Sequence, residues 1–182
     1  MLTSTPAWCA VLTYPNAETT VANNFAKAEP PIEYYLPMLA NRDRRFKHND
    51  MPEKAMFPCY IFVRINNKQV YQTRTTHGVV YIVSSRHSIC VVPDSDIEAV
   101  RRFEASQRKV FVHETHKLVK GAPATILNGE FAGMQGRLIK DCKDGNFAVS
   151  ISVLNMSFVV HMKRSELRPS TDDELVADKP DR

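Results

Sequence analysis

The clearest alternation in the chain lies at residues 57–65, FPCYIFVRI. Cys59, Ile61, Val63 and Ile65 fall in one phase, and Tyr60, Phe62 and Arg64 in the other, the two-residue period of a strand. The second phase carries two aromatics where a water-facing strand should be polar, which marks a covered or partner-binding face. Ala7–Thr13 (AWCAVLT) reads as a second buried strand, followed by the turn Tyr14-Pro15-Asn16. Asn16 is expected to cap a helix running to about Ala28, with Val21 and Phe25 four apart on its inner face. Pro30-Pro31 ends it, and Ile32–Met38 forms the next strand. A short helix over Asn67–Thr75, a strand over Val79–Val83 and a helix over Ser95–Phe103 follow, the last opened by a Ser95/Glu98 capping box. This order implies a mostly antiparallel sheet flanked by helices, an α+β domain over residues 1–104.

Residues 105–116 have no clear period and read as a linker. From 117 to 169 the pattern is all β. Ala124–Leu127 meets Asn128-Gly129, the form of a tight hairpin turn, and Gly136 launches Arg137-Leu138-Ile139. Phe147, Val149, Ile151 and Val153 alternate with small or polar residues, and Phe158, Val160 and Met162 form the inward phase of the next strand. Five short strands in this span fit a small five-stranded β-barrel. The polar residues 170–182 read as a tail, and there is no internal repeat.

At 182 residues the chain has room for two small domains, and its 43% hydrophobic share is that of a globular protein. No apolar run is long enough for a membrane span, and the N-terminus lacks the build of a secretory signal. Cys9, Cys59, Cys90 and Cys142 are scattered without a CxxC pair, which argues against zinc-ribbon or redox motifs and for reduced thiols in the cytoplasm. The net charge of +4 suits a polyanionic partner without demanding one. Cys59 with His87, or Cys90 with His113, could be paired on paper as thiol and imidazole, but nothing in their spacing supports an enzyme. The only close histidine pair is His113-x-x-His116, in the expected linker, so neither a catalytic residue nor a metal site is assigned.

Residues 7–13 (AWCAVLT), 57–63 (FPCYIFV), 77–83 (HGVVYIV) and 93–100 (PDSDIEAV) follow one another as in the N-terminal domain of the NusG family. Residues 121–138 (GAPATILNGEFAGMQGRL), closed by 162–169 (MKRSELRP), resemble the KOW domain that follows it. The resemblance covers about residues 7–169 and implies a transcription elongation factor without cofactor or covalent chemistry, acting as a monomer away from membranes. It implies an N-terminal domain on the clamp helices of RNA polymerase, beside non-template DNA. The KOW domain would recruit Rho or a small-subunit ribosomal protein. Cysteine at 59, where general NusG proteins carry glycine, and the absence of a His-Thr-Thr motif near Gln69-Val70-Tyr71-Gln72 depart from the better-known patterns. Together they resemble the UpxY group of specialised antiterminators, relatives of RfaH that act on capsular polysaccharide operons.

Carried onto this chain, the resemblance places the polymerase patch at Leu12, Tyr60, Phe62, Ile97 and Val100. It turns the charged, aperiodic segment Asn41–Lys54 (NRDRRFKHNDMPEK) into a protruding hairpin whose Arg42, Arg44, Arg45 and Lys47 meet phosphates while Phe46 stacks on a base. It makes Phe131, at the tip of the first barrel loop, the KOW anchor. Where the gate-loop motif is missing, Gln69, Gln72 or Thr73 are the polar substitutes. A general factor assisting Rho, or a KOW-type RNA-binding or ribosome-associated protein using Lys117, Lys120, Lys140, Lys143, Lys163 and Arg164, are the alternative readings.

Overall fold

The computed structural model describes residues 2–39, 54–85, 88–106, 110–114, 121–141, 146–153 and 156–171. The chain divides into two units, Met1–Glu98 and Ala99–Arg182.

The first unit is organised by β1 (Ala7–Thr13), which lies inside its sheet. On one side β1 pairs antiparallel with β5 (Tyr60–Ile65), and β5 in turn with β2 (Glu33–Tyr35). On the other side it pairs with β6 (Val79–Ile82) near its C-terminal end and with β9 (Val91–Val92) near its start. Between those two runs a two-stranded excursion, β7 (Ser84–Ser85) with β8 (Ser88–Ile89), leaves the sheet. A second small ladder joins β3 (Met38–Leu39) to β4 (Lys54–Ala55).

One face of the sheet is the core. Cys9 and Val11 stand opposite Val63 and Ile61, and all four are fully buried. Helix α1 (Glu18–Lys27) buries Val21, Ala22 and Phe25 in this cluster, the inner stripe expected from the sequence. Asn16 does not cap it. Its φ is +61, and the Ala17 N–H reaches back to the Tyr14 carbonyl at 3.1 Å, so Asn16 closes a tight turn that reverses the chain. Asparagine tolerates this left-handed backbone better than most residues. Helix α2 (Val70–Thr75) is entered through a 3-10 turn at Asn67–Gln69, where Asn66 and Gln69 form a reciprocal capping box. Burial pushes the Cys9 thiol up to about 11, with neighbouring Cys90 adding to the rise.

Helix α3 (Asp94–Ala105) spans the division between the units. It starts one residue before Ser95, and the Pro93 carbonyl accepts from the Asp96 and Ile97 N–H groups, so Ser95 lies in the first turn rather than at the cap. The second unit then holds a six-stranded antiparallel sheet. Its order is β10 (Val110–Glu114), β14 (Met156–Lys163), β13 (Asn146–Val153), β12 (Gln135–Asp141), β11 (Pro123–Ile126) and β15 (Leu167–Pro169). Strands β11 to β14 fall on the four segments read as strands, and β15 lies in the segment 162–169 that closes the KOW resemblance. The sixth, β10, corrects the linker: Val110-Phe111-Val112 is β-favouring sequence that takes a place beside β14, with Val110 opposite Val160. Asn128-Gly129 is likewise not a two-residue turn. Gly133 and Met134 exchange backbone hydrogen bonds with Ile126, at 2.8 and 2.9 Å, so the hairpin loop is wider and has Phe131 inside it. Gly121 is placed so that a β-carbon would overlap the Leu138 carbonyl, a close approach that only glycine permits.

Two outcomes follow for the first unit. Gly78 has φ +95, and an added β-carbon would stand 2.7 Å from the Val21 side chain. Gly78→Ala is expected to lose roughly 2 kcal/mol in urea unfolding, from the left-handed backbone and the pressure on α1. The Cys9 thiol, raised from 9.0 to about 11, binds its proton more tightly folded than unfolded. Its contribution is therefore complete below pH 9 and is lost as pH rises from 9 towards 11. A pH series of unfolding free energies should show a shallower alkaline decline for Cys9→Ala than for the parent chain.

Candidate functional site

The face of the first sheet opposite α1 is the unusual one. Strand register arranges it in three transverse rows. Glu33, Arg64, Trp8 and Val92 form the first; Tyr35, Phe62 and Ala10 the second; Tyr60, Leu12 and Tyr81 the third. Exposure changes along these rows. Trp8 and Val92 are buried, while Glu33 and Arg64 form an ion pair at 4.0 Å in solvent, which contributes little to stability. Phe62 is 2% exposed, packed edge-on against Phe57 at 5.3 Å and beside Tyr35 at 6.4 Å. Only the third row stays wet along its length: Tyr60 and Leu12 are half-buried and Tyr81 is 49% exposed.

Of the five residues the sequence places on an interaction patch, two are therefore reachable. Leu12 and Tyr60 stand side by side on neighbouring strands. Phe62, Ile97 and Val100 are buried instead of exposed, at 2%, 1% and 0%. Phe62 is covered by its aromatic neighbours, and Ile97 and Val100 lie on the inner stripe of α3. Tyr81, opposite Leu12 on β6, completes the accessible row and was not among the sequence candidates. Its signal is a tyrosine in phase with Val79 and Val83. That signal points to this row only once β6 is known to lie beside β1.

The row is anchored at one end by a strained turn. The Tyr60 N–H donates to the Phe57 carbonyl at 3.0 Å across Pro58-Cys59, and Cys59 has φ +66. Proline second and a left-handed residue third is a type II arrangement, whose third place favours glycine. Here a cysteine holds it, and two contacts fix it: its N–H donates to Glu18 Oε1 at 2.7 Å, and its carbonyl accepts from the Thr13 N–H at 2.8 Å. The turn thus ties α1, the end of β1 and the start of β5 together beside Leu12 and Tyr60.

Arg42, Arg44, Arg45, Phe46 and Lys47 lie outside the described residues; the β3–β4 ladder brings together the residues flanking 40–53, Leu39 opposite Lys54. Phe131 is described and is not an exposed tip. It is 0% exposed and stacks on Phe103 at 4.9 Å, while Phe103 lies nearly parallel to Phe158 at 4.2 Å. The ring folds inward because Phe103 offers it an aromatic face, and Ser106 fixes the same loop by donating to Glu130 Oε2 at 2.6 Å. The gate-loop substitutes are occupied as well. Gln69 accepts from the Asn66 N–H, Gln72 donates to the carbonyls of Glu29 and Pro30, and buried Thr73 donates to the Gln69 carbonyl. Among the described residues no three His, Cys, Asp or Glu side chains converge as a metal site would require, and no helix is long and apolar enough to cross a membrane.

Replacing Cys59 by glycine should raise the unfolding free energy by about 1 kcal/mol: relief of the left-handed backbone outweighs glycine's extra unfolded-state entropy. Urea titration of the two chains is the check, and a Cys59→Gly chain less stable than the parent would show that the thiol contributes more than the turn costs.

The chain's kinship bears on what this face meets. Residues 6–101 match the NusG family model, described as transcription termination factor nusG. No curated protein matches the chain. Among solved structures it is similar to Thermotoga maritima NusG, from work on that protein's domain interaction: 20% identity, 91% of this chain and 98% of that one, TM-score 0.60. An MjSpt4:Spt5 complex, in conformations B and A, is 16% identical with TM-scores of 0.34 and 0.33, covering 91% and 90% of this chain and 97% and 98% of that one.

Proposed function

The chain belongs to the NusG family of transcription proteins, and from that premise we propose that it is an elongation or antitermination factor docking on the clamp helices of RNA polymerase through the row Tyr60–Leu12–Tyr81. The observation that carries this reading is the row itself. Two tyrosines flank a leucine on adjacent strands and remain half-exposed or exposed, while Trp8, Phe62 and Val92 on the same face are covered. Aromatic anchors around an aliphatic centre are the composition of energetic hot spots in protein interfaces. Buried Phe62, with Phe57 and Tyr35 around it, lies two residues along β5 from Tyr60, in the same strand phase. Phe62, Ile97 and Val100, being buried, are not contact residues in this reading.

In this reading the protein works as a monomer without cofactor and without covalent chemistry. Its partners are polymerase, non-template DNA near residues 42–47, and one further factor, Rho or a small-subunit ribosomal protein, recruited by the KOW-like second unit. Cysteine in the strained turn, and a second helix whose polar side chains are used internally, favour a specialised paralogue of the UpxY type over a general factor.

The test is association of the full chain with a bacterial core polymerase, followed by single-round transcription through a capsule-operon leader with and without Rho. Tyr60→Ala and Tyr81→Ala should each weaken association by about thirtyfold, or ~2 kcal/mol, as loss of a desolvated aromatic anchor does. Tyr34→Ala, which alters an exposed tyrosine packed beside Phe25 on the opposite face, should leave it unchanged. Full-strength association by folded Tyr60→Ala and Tyr81→Ala chains would remove the docking row. Increased Rho-dependent termination in place of read-through would identify a general factor.

A further inference from the structure

The second unit carries an apolar cavity of about 170 Å³ that the docking row does not touch. Its walls are Ala122 and Ala124 at the start of the first hairpin, Leu138 of β12, and Leu167 and Pro169 of β15, and Arg164 contributes a guanidinium to its lining. Strand register explains the space. The Leu138 N–H donates to the Ala122 carbonyl at 2.9 Å, and Ala124 stands opposite Pro169. Ala122 and Ala124 share the strand phase of buried Ile126, so two methyl groups stand where the next position along places a full aliphatic side chain. Leu138 and Leu167 are half-buried, and Ala122 and Pro169 are exposed, so the cavity opens to solvent. An apolar cavity of about 150 Å³ accepts a benzene ring. This one has room for a single leucine-sized side chain.

The course of the chain after β15 identifies the occupant. Pro169 is a wall of the cavity, and the Ser170 N–H donates to the Pro123 carbonyl at 3.2 Å, so the chain leaves the sheet at the cavity's edge. Residues 172–182 lie outside the described residues. In sequence they begin Asp172-Asp173-Glu174-Leu175-Val176-Ala177-Asp178. Leu175 is the largest apolar side chain after β15, and four carboxylates surround it in sequence before the first cation, Lys179. The strand end that leads to the cavity has the opposite sign. Lys163, Arg164 and Arg168 are exposed, and the acid among them, Glu166, accepts from the Lys163 N–H at 2.8 Å. Leu175 follows Pro169 by six positions, an extended reach of about 20 Å. That leaves slack for a reversal through Thr171–Glu174, whose aspartates favour turns.

We propose that residues 172–178 fold back on the second unit and seat the Leu175 side chain in this cavity, with the flanking carboxylates set against Arg164 and Lys163. Burial of the leucine supplies the attraction, and the charges set the direction in which the segment lies. The tether decides for the chain's own end over an external peptide of the same composition. A short flexible connection holds its ligand at an effective concentration in the millimolar range, which a free competitor must exceed. The cavity is thereby closed from within the chain, and a partner that uses it must first displace the tail. This contact is separate from the docking row and stands whether or not that row binds polymerase.

The experiment records methyl NMR spectra of the isotope-labelled full chain. The Leu175 methyls should show nuclear Overhauser contacts to Leu138 and Leu167. Leu175→Ala should shift the Ala122, Leu138 and Leu167 resonances and leave those of Val11 and Ile61 in place, which also reports that the chain is folded. A synthetic peptide of residues 171–182 is then titrated in. It should bind the Leu175→Ala chain at least tenfold more tightly than the parent, whose cavity is occupied, and the same peptide carrying Leu175→Ala should bind neither. Adding Arg164→Gln to the Leu175→Ala chain should weaken the peptide by about threefold, the scale of an exposed ion pair, and flatten its salt dependence. Cavity resonances that do not respond to Leu175→Ala overturn the proposal. So does equal peptide affinity for the parent and Leu175→Ala chains, which would leave the cavity open to an acidic segment of another protein. Overhauser contacts found only between differently labelled copies would give the cavity to a second chain's tail, and overturn it as well.

Discussion

Everything in the first unit depends on β1 being paired on both sides. β5 runs along one edge for six residue pairs, and β6 and β9 share the other. A strand so enclosed must commit every side chain to one of two faces, because successive residues point oppositely. Cys9 and Val11 go to the α1 side and are fully buried. Trp8, Ala10 and Leu12 go to the other and define the three rows. The backbone at its C-terminal end is also committed, with Thr13 bonded to Cys59 and Tyr14 to Gly78. Both residues accepting these bonds have positive φ. The central strand therefore sets the core, the candidate docking row and the geometry of the turns beside it.

In the second unit the comparable constraint is aromatic. Phe103 lies nearly parallel to Phe158 and is stacked on Phe131, so the helical residues after Ala99 and the loop after β11 are held by one set of rings. Offset stacks of this kind contribute about 0.5–1.5 kcal/mol beyond the area they bury. The Ser106–Glu130 hydrogen bond acts on the same loop. A residue that would serve as an exposed anchor is thereby part of the interior.

Much of this was legible in the sequence because it is written in local periodicity. The strands over residues 7–13, 60–65, 79–82, 146–153 and 156–163 and the inner stripe of α1 follow from alternation and helical spacing. What the sequence left open concerned relations between distant segments. Nothing near Phe131 reveals Phe103 above it. Nothing near Phe62 reveals that Tyr35 and Phe57 cover it, so a ring in the polar phase read as wet when only its neighbour Tyr60 is. Tyr81 was missed for the same reason, since its place depends on Leu12 some seventy residues earlier. The expected linker failed differently: Val110-Phe111-Val112 is too short to show a period, and an available strand edge decided its fate.

The second helix illustrates how hydrogen-bond accounting separates candidate functions that residue type alone cannot. By type, Gln69, Gln72 and Thr73 are the polar groups a partner would be expected to touch. The structure reverses this, because a buried or half-buried polar group must find a partner and these three find it within the protein. Diverting any of them to an external ligand would leave a backbone carbonyl or a helix start unsatisfied, which costs about as much as the new hydrogen bond would contribute. Tyr71, Lys68 and Arg74 carry no such obligation. Their side chains are exposed at no structural cost.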